Sequence, residues 1–347
     1  MHGGDVYTEG LLKGIELIDF SSNINPIGVP KSFTDTIDEA LKNIERYPDI
    51  KYRKVLRSLR DYTGINEEHF VLGNGASEII DLVISCFKSI LIVVPSFAEY
   101  EADAVKWNCS IEYSYLNEEM DFDYEDILMK LHKTQALIIG NPNNPNGNII
   151  DKTKFKSILD FSESEGKTII IDEAFIEFTG KKDYSFTEDI KEYKSIFIIR
   201  ALTKFFAMPG IRFGYGISKN KRLLQKIKQK QNPWNINCFA EHAVKYILKD
   251  EEYIKKSLKW IETERSYFPS SLEKLVFIDK IYFSFSNYIL CRLKGITDEE
   301  LYNFCMKKGI IIRRASNFKG LNEYFVRFAI KDRKLNNKLL EAIKQIE

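Results

Sequence analysis

Between residues 70 and 217 the chain repeats one pattern: a short, mostly unbroken apolar run, a few turn residues, then a stretch with helical periodicity. The runs fall at 70–72, 90–94, 111–115, 136–139, 168–171, 196–199 and 211–217, with helical stretches at 76–87, 97–107, 123–131 and 151–165 between them. A strand with one wet face alternates apolar and polar residues, whereas a strand buried on both faces does not. Ile169-Ile-Ile171 and Ile196-Phe-Ile-Ile199 leave no polar face at all. The pattern therefore predicts an α/β fold: a mostly parallel sheet of seven strands with helices on both faces.

The flanks read differently. Residues 1–30 are rich in Gly, Pro, Asn and Ser and suit an ordered loop; 32–46 and 51–62 suit amphipathic helices. After residue 217 come a basic helix at 219–231 and long helices at 237–248 and 251–275. A half-buried strand at 281–293 follows, then helix 298–308, strands 310–313 and 324–330, and helix 335–346. At roughly 100–200 residues per domain, 347 residues suggest two. The expected division is an N-terminal arm and substrate loop over 1–30, a large domain over 31–235, and a smaller C-terminal α/β domain over 236–347 joined by the N-terminal segment.

Lys and Arg total 51 against 50 Asp and Glu, a net charge of +1. That balance excludes an electrostatic footprint for nucleic acid or an anionic membrane. The basic helix at 219–231 reads as a solvated face, with a polyanion site as the alternative. The five cysteines are scattered without CxxC spacing, the first residues hold no signal-like apolar run, and no apolar run is long enough to span a bilayer. A cytoplasmic protein without a metal site is expected.

Four places carry candidate chemistry. In Arg200–Gly216 one lysine, Lys204, sits among apolar and small residues, with Arg212 eight positions on. A poorly solvated lysine has a depressed pKa and serves as a nucleophilic amine, and a neighbouring arginine suggests an anion. One reading is a lysine that carries an aldehyde cofactor, with Arg212 on its phosphate; the other is a surface loop with two ordinary cations. Gly73-Asn74-Gly75-Ala76-Ser77 joins a strand to a helix and is either an anion site built on backbone N–H groups or a plain turn. Asn141-Pro-Asn-Asn-Pro-Asn-Gly147 is a rigid loop at a strand's carboxyl end, where open α/β sheets bind ligands; Asn144 offers an amide there, unless the loop is only a turn. Asp172 ends a buried strand, where an acid needs a partner; it pairs with a cationic ring nitrogen or caps the next helix.

Taken in order, the phosphate turn, Phe97 after a strand, the Asn loop, Asp172, Lys204 and Arg212 resemble the fold-type I pyridoxal-phosphate enzymes along nearly the whole chain. Within them the chain is similar to the branch of histidinol-phosphate aminotransferases and L-threonine-O-3-phosphate decarboxylases. The resemblance implies pyridoxal 5'-phosphate as cofactor, with Lys204 and Asp172 as catalytic residues. Lys204 would hold the cofactor's aldehyde, Asp172 would pair with the pyridine nitrogen, Asn144 would meet the ring hydroxyl, and Phe97 would stack on the ring. Gly75, Ala76, Ser77, Thr203 and Arg212 would take the phosphate. Tyr47, in Glu45-Arg-Tyr-Pro-Asp49, would reach the neighbouring subunit's cofactor in a homodimer. His2, Gly3, Asn23, Asn144, Arg313 and Arg327 would hold the substrate.

Read without that resemblance, Arg313 and Arg327 suit structural ion pairs, Asn23 a turn, and His2 a disordered end. The chain departs from the family at Ala201, where a Ser or Thr often helps hold the phosphate, and at Phe175, where aminotransferases of the branch carry a tyrosine. Four stretches resemble the decarboxylases: His2-Gly-Gly, Asp19-Phe-Ser-Ser-Asn-Ile-Asn-Pro26, Phe97-Ala-Glu-Tyr100 and Thr203-Lys-Phe-Phe-Ala-Met-Pro-Gly210. The expected substrate is a small phosphorylated amino compound, O-phospho-L-threonine first, giving 1-amino-2-propanol phosphate for the nucleotide-loop linker of cobalamin. Histidinol phosphate with 2-oxoglutarate as amino acceptor is the alternative. Regulators that fuse this fold to a helix-turn-helix are a third class; the motif set starts by residue 2, so none is expected.

Overall fold

The structure is a computed structural model and describes residues 3–346, so the expectation for His2 lies outside the described residues. A short strand β1 (Ile18–Asp19) precedes the main sheet. That sheet comprises β2 (Phe70–Gly73), β3 (Ser89–Val94), β4 (Ser110–Tyr115), β5 (Ala136–Gly140), β6 (Thr168–Asp172), β7 (Ile196–Ala201) and β8 (Gly214–Ile217), in the order β2-β8-β7-β6-β5-β3-β4. Neighbours from β7 to β4 are parallel; β8 runs against both β7 and β2.

The unbroken apolar runs have the two buried faces they require. Leu137, Ile139, Ile169, Ile171, Ile196 and Ile198 enter one core. Their neighbours Ile138, Ile170, Phe197 and Ile199 enter another on the opposite face. Successive strand residues point to opposite faces, so each run feeds both cores. Helix Lys152–Ser164 packs its Phe155 and Ile158 into the first core, and helix Ala76–Ile84 packs Ile79 and Val83 into the second.

A second sheet, antiparallel, is built from β9 (Ile278–Ile281), β10 (Tyr288–Leu293), β12 (Arg313–Arg314) and β13 (Phe325–Ala329), in the order β12-β13-β10-β9. Strand β11 (Ile310–Ile311) instead pairs in parallel with β1, which ties the N-terminal segment to the C-terminal region.

Several elements differ from the sequence expectation. The helix expected at 32–46 is two short ones, Lys31–Thr34 and Ile37–Leu41. The break falls at Thr36, whose hydroxyl donates to the Ser32 carbonyl at 2.8 Å and meets His242 Nε2 at 2.9 Å. A β-branched residue bonding back to the preceding turn weakens a helix at that point. The strand expected at 281–293 is interrupted between β9 and β10, because the Phe285 N–H donates to Gly147 O at 2.8 Å and docks that stretch on the Asn-rich loop. A side chain at Gly147 would place its Cβ 1.9 Å from Ser284 Oγ, so the docking needs glycine there. The run 310–313 divides into β11 and β12, which serve different sheets. The last strand of the main sheet begins only at Gly214, after a 3-10 turn Pro209–Ile211 and Arg212 at φ 55°.

Candidate active site

The carboxyl ends of β3, β5, β6 and β7 converge on one cavity of about 1140 Å³, including space open to solvent. Phe97, Asn144, Asp172, Ala201, Thr203 and Lys204, from the segments at those strand ends, line it. Ligands of open α/β sheets bind at this edge.

At one end the cavity meets the start of helix Ala76–Ile84, with Ala76 and Ser77 in its wall. The first N–H groups of a helix have no partner within it and attract an anion. Arg212 completes this corner: its Nη2 donates to Ser77 Oγ at 3.1 Å and its Nη1 to Pro209 O at 3.2 Å. Gly75, with φ 87°, lies behind the wall rather than in it. A Cβ there would stand 2.2 Å from Arg212 Nη2, so glycine is what lets the guanidinium lie against the turn. Gly214 plays a similar part, since its Cβ would reach Ala76 N at 2.4 Å. These constraints shape a cradle that could hold an anion such as a phosphate. Ala201 lines the cavity without the hydroxyl that Ser or Thr would bring.

Asp172 closes β6 and is only 8 % exposed. Its Oδ2 accepts from the Tyr100 hydroxyl at 2.6 Å and its Oδ1 from the Ala174 N–H at 2.9 Å. Burial pushes its pKa up, against the pull of those two donors and of Lys204. Its neighbour Glu173 points elsewhere, to Arg200 at 2.9 and 3.0 Å, and to Ser185 and Phe186 N.

Lys204 follows β7, with Nζ 5.9 Å from the centroid of the Phe175 ring. Its pKa is pushed down to about 8, first by burial and then by the charges of Arg327 and Arg212; Asp19 opposes this. At pH 7 about a tenth of this amine is unprotonated, far more than of a solvated lysine.

The far end of the cavity is cationic. Arg313 on β12 and Arg327 on β13 are direct cross-strand partners, so both side chains leave the sheet on one face. Both are buried, and both line the cavity. Arg327 donates to Asn144 Oδ1 at 2.5 Å and to Ser21 O at 2.7 Å, while its Nε has no protein partner among the described residues. Burial and the charge of Arg313 push its pKa down to about 9. Arg313 lies over the Phe318 ring at 4.7 Å and donates to Arg314 O at 2.6 Å; burial brings its pKa down to about 10.

Asp19 organises the neighbouring loop. Its carboxylate accepts from Ser21 N and Ser21 Oγ at 2.7 Å, from Ser22 N at 3.0 Å, and from the Ser22 hydroxyl. Asn23, next in the loop, is buried with Oδ1 unpartnered among the described residues and lines the cavity. Gly3 lies across Ser21 so closely that a Cβ would meet Ser21 O at 2.3 Å.

The structure thus brings Gly3, Asn23, Ala76, Ser77, Phe97, Asn144, Asp172, Thr203, Lys204, Arg212, Arg313 and Arg327 around one space. Tyr47 is elsewhere, 79 % exposed, with its ring 4.7 Å from that of Trp234. Sequence reasoning assigned no role to Ser21, Ser22, Asn317 or Phe318, which also line the cavity, nor to the hydroxyl of Tyr100. Tyr100 sits in the first turn of helix Glu99–Lys106, three residues after Phe97, and its N–H reaches back to Phe97 O.

The donor set suits pyridoxal phosphate. A cradle of helix N–H groups, Ser77 and Arg212 matches its phosphate, a buried acid its ring nitrogen, and a weakly basic amine its aldehyde. Residues 15–343 match the family profile of aminotransferases, class I and II. A relative in Caldanaerobacter subterraneus with the provisional name threonine-phosphate decarboxylase is 41 % identical over 99 % of this chain and 93 % of its own length. The threonine-phosphate decarboxylase of Salmonella typhimurium is 31 % identical over 99 % of this chain and 96 % of its own. Among solved structures, one described as the histidinol-phosphate aminotransferase from Clostridium acetobutylicum is 56 % identical, with TM-score 0.93 over 95 % of this chain and 99 % of that one.

Proposed function

The chain belongs to the class I and II aminotransferases, a pyridoxal-phosphate-dependent family, and on that premise we propose that it binds pyridoxal phosphate in this cavity and decarboxylates O-phospho-L-threonine to 1-amino-2-propanol phosphate. The observation that carries a phosphorylated substrate is the pair Arg313 and Arg327. Two buried guanidinium groups directly opposite each other repel, and the arrangement is relieved by an anion between or beside them. Asn23, whose buried Oδ1 is unpartnered among the described residues and which lines the same cavity, adds an acceptor for an ammonium or hydroxyl group.

Bound here, the cofactor supplies an electron sink for the pair left when a bond to the substrate's Cα breaks. The protein decides which bond that is. In the proposed roles Arg313 and Arg327 hold phosphate and carboxylate, Asn23 accepts from the substrate's ammonium or hydroxyl, and together they set the angle at Cα. Orientation of this kind is worth orders of magnitude in rate. Asp172 keeps the ring nitrogen protonated. Lys204, weakly basic, moves the proton at Cα if transamination is the reaction; in decarboxylation a proton replaces the departed carboxylate at Cα, and Lys204 then serves to release product. Phe175 is apolar and donates no hydrogen bond to a ring oxygen, where aminotransferases of the branch carry tyrosine. The names of the 41 % and 31 % identical relatives support the decarboxylase.

The 56 % identical structure supports a second reading, histidinol-phosphate aminotransferase. The two separate in one assay with carboxyl-labelled O-phospho-L-threonine and with histidinol phosphate. Labelled CO₂ released without any 2-oxo acid supports the first. Loss of histidinol phosphate that depends on 2-oxoglutarate, with no CO₂ from the phosphoamino acid, replaces it with the second.

A further inference from the structure

Tyr100 is 2 % exposed and closes one wall of the cavity. Burial holds its phenol well above the ordinary pKa, so the hydroxyl remains a donor, and Asp172 Oδ2 receives it at 2.6 Å. The segment is placed by the sheet. Strand β3 neighbours β5 and β5 neighbours β6, so the turn after β3 stands near the end of β6. The Tyr100 N–H donates to Phe97 O at 3.1 Å, and the two rings meet edge to face with centroids 5.8 Å apart. The turn that opens helix Glu99–Lys106 therefore carries both an aromatic face in the cavity wall and the donor to the buried acid.

We infer that Tyr100 is a positioning residue for Asp172, its hydroxyl holding the carboxylate oriented and ionised to meet a protonated ring nitrogen. The inference rests on the reading of the cavity as a pyridoxal-phosphate site. The other groups that bear on Asp172 are Glu173 beside it, Lys204 after β7 and Tyr288 on β10, while Glu99 bears on Tyr100. Glu173 is engaged by Arg200, and the Tyr288 hydroxyl by Asn143 O at 2.8 Å. Against burial, which drives Asp172 towards its neutral form, the Tyr100 hydroxyl is the foremost opposing influence. A neutral acid cannot pair with a ring N–H as an ion. Without the hydroxyl, more of the cofactor-free protein holds Asp172 protonated, and the deficit is greatest at acidic pH.

The test is Tyr100→Phe, which keeps the ring and removes only the hydroxyl. Full-length protein stripped of cofactor is titrated with pyridoxal phosphate from mildly acidic to mildly alkaline pH, following the quenching of tryptophan fluorescence. The expected result is affinity weakened roughly tenfold to a hundredfold at the acidic end, with the gap closing as pH rises. In an Asp172→Asn background the same substitution should add nothing. A wild-type protein that takes up cofactor, with a variant equal to it or weakened equally at every pH, overturns the role of Tyr100 alone. So does a further loss in the Asp172→Asn background. A wild-type protein that takes up no cofactor overturns the reading of the cavity and this inference with it.

Discussion

Lys204 is a cation in a place that disfavours cations. Its folded-state pKa of about 8 lies below the ordinary 10.5, with burial as the first cause. Below about pH 8 the amine is protonated in folded and unfolded chains alike, and the fold bears the cost of burying that charge. Between about 8 and 10.5 only the unfolded chain holds the proton, so this group's contribution to stability rises with pH. Labelling of cofactor-free protein with an acylating reagent, read by mass spectrometry, should show Lys204 reactivity rising with a midpoint near 8; a midpoint shared with the surface lysines would contradict the burial argument. Arg313 allows a second prediction. Arg313→Met keeps the stem on Phe318, removes the charge opposite Arg327 and leaves the Arg314 carbonyl without its donor, while the carboxylates of Asp298 and Glu99 lose a nearby cation. KM for the phosphorylated substrate should rise at least about tenfold, while denaturant unfolding stays within about 1 kcal/mol of wild type. Lys204, Asp172 and Arg212 were legible in the sequence because each sits at or near the end of an apolar run. The pairing of Arg313 with Arg327 was not, because it depends on the register of two strands, and a register shift by one residue turns a side chain to the opposite face.

Among the elements, the turn into helix Ala76–Ile84 is the most constrained. Gly75→Ala would force a Cβ into a φ of 87° and against Arg212. The expected outcome is a loss of roughly 1–3 kcal/mol of stability from backbone strain, together with markedly weaker affinity for pyridoxal phosphate as Arg212 is displaced. Unfolding curves and fluorescence titration check the two parts separately, and a variant that keeps full affinity would contradict the cradle. Behind the site, Arg200 links the ends of β7 and β6 through Glu173, with Ser185 and Thr187 on the same guanidinium. Arg200→Ala strands a buried carboxylate and should cost about 3–5 kcal/mol in denaturant unfolding. The seven-stranded sheet was readable because its central strands are uniformly apolar; the edge strand β4 carries Ser110, Glu112 and Ser114 and is only partly buried. The division of 310–313 between two sheets was not, since a four-residue run carries no sign of where its halves pair. The break at Thr36 depends on a hydroxyl meeting His242, a partner distant in the sequence.

At the scale of the whole molecule, Leu41, Ile44, Tyr47, Ile50 and Trp234 are exposed apolar side chains, and the rings of Tyr47 and Trp234 are in contact. We propose that a second copy of the chain covers them and that Tyr47 serves the cofactor phosphate of the partner. Sedimentation velocity should show a dimer, and Ile44→Arg should give monomers with weakened cofactor affinity; monomeric wild-type protein that retains the cofactor would remove the proposal. No helix among the described residues is long and apolar enough to cross a membrane. The most direct test of a cavity organised around one lysine is to reduce the purified protein, loaded with pyridoxal phosphate, with borohydride, digest it and map the modified peptide. The predicted result is a phosphopyridoxyl group on Lys204 alone, absent in Lys204→Ala. Modification of other lysines with Lys204 untouched, or none at all, would contradict it.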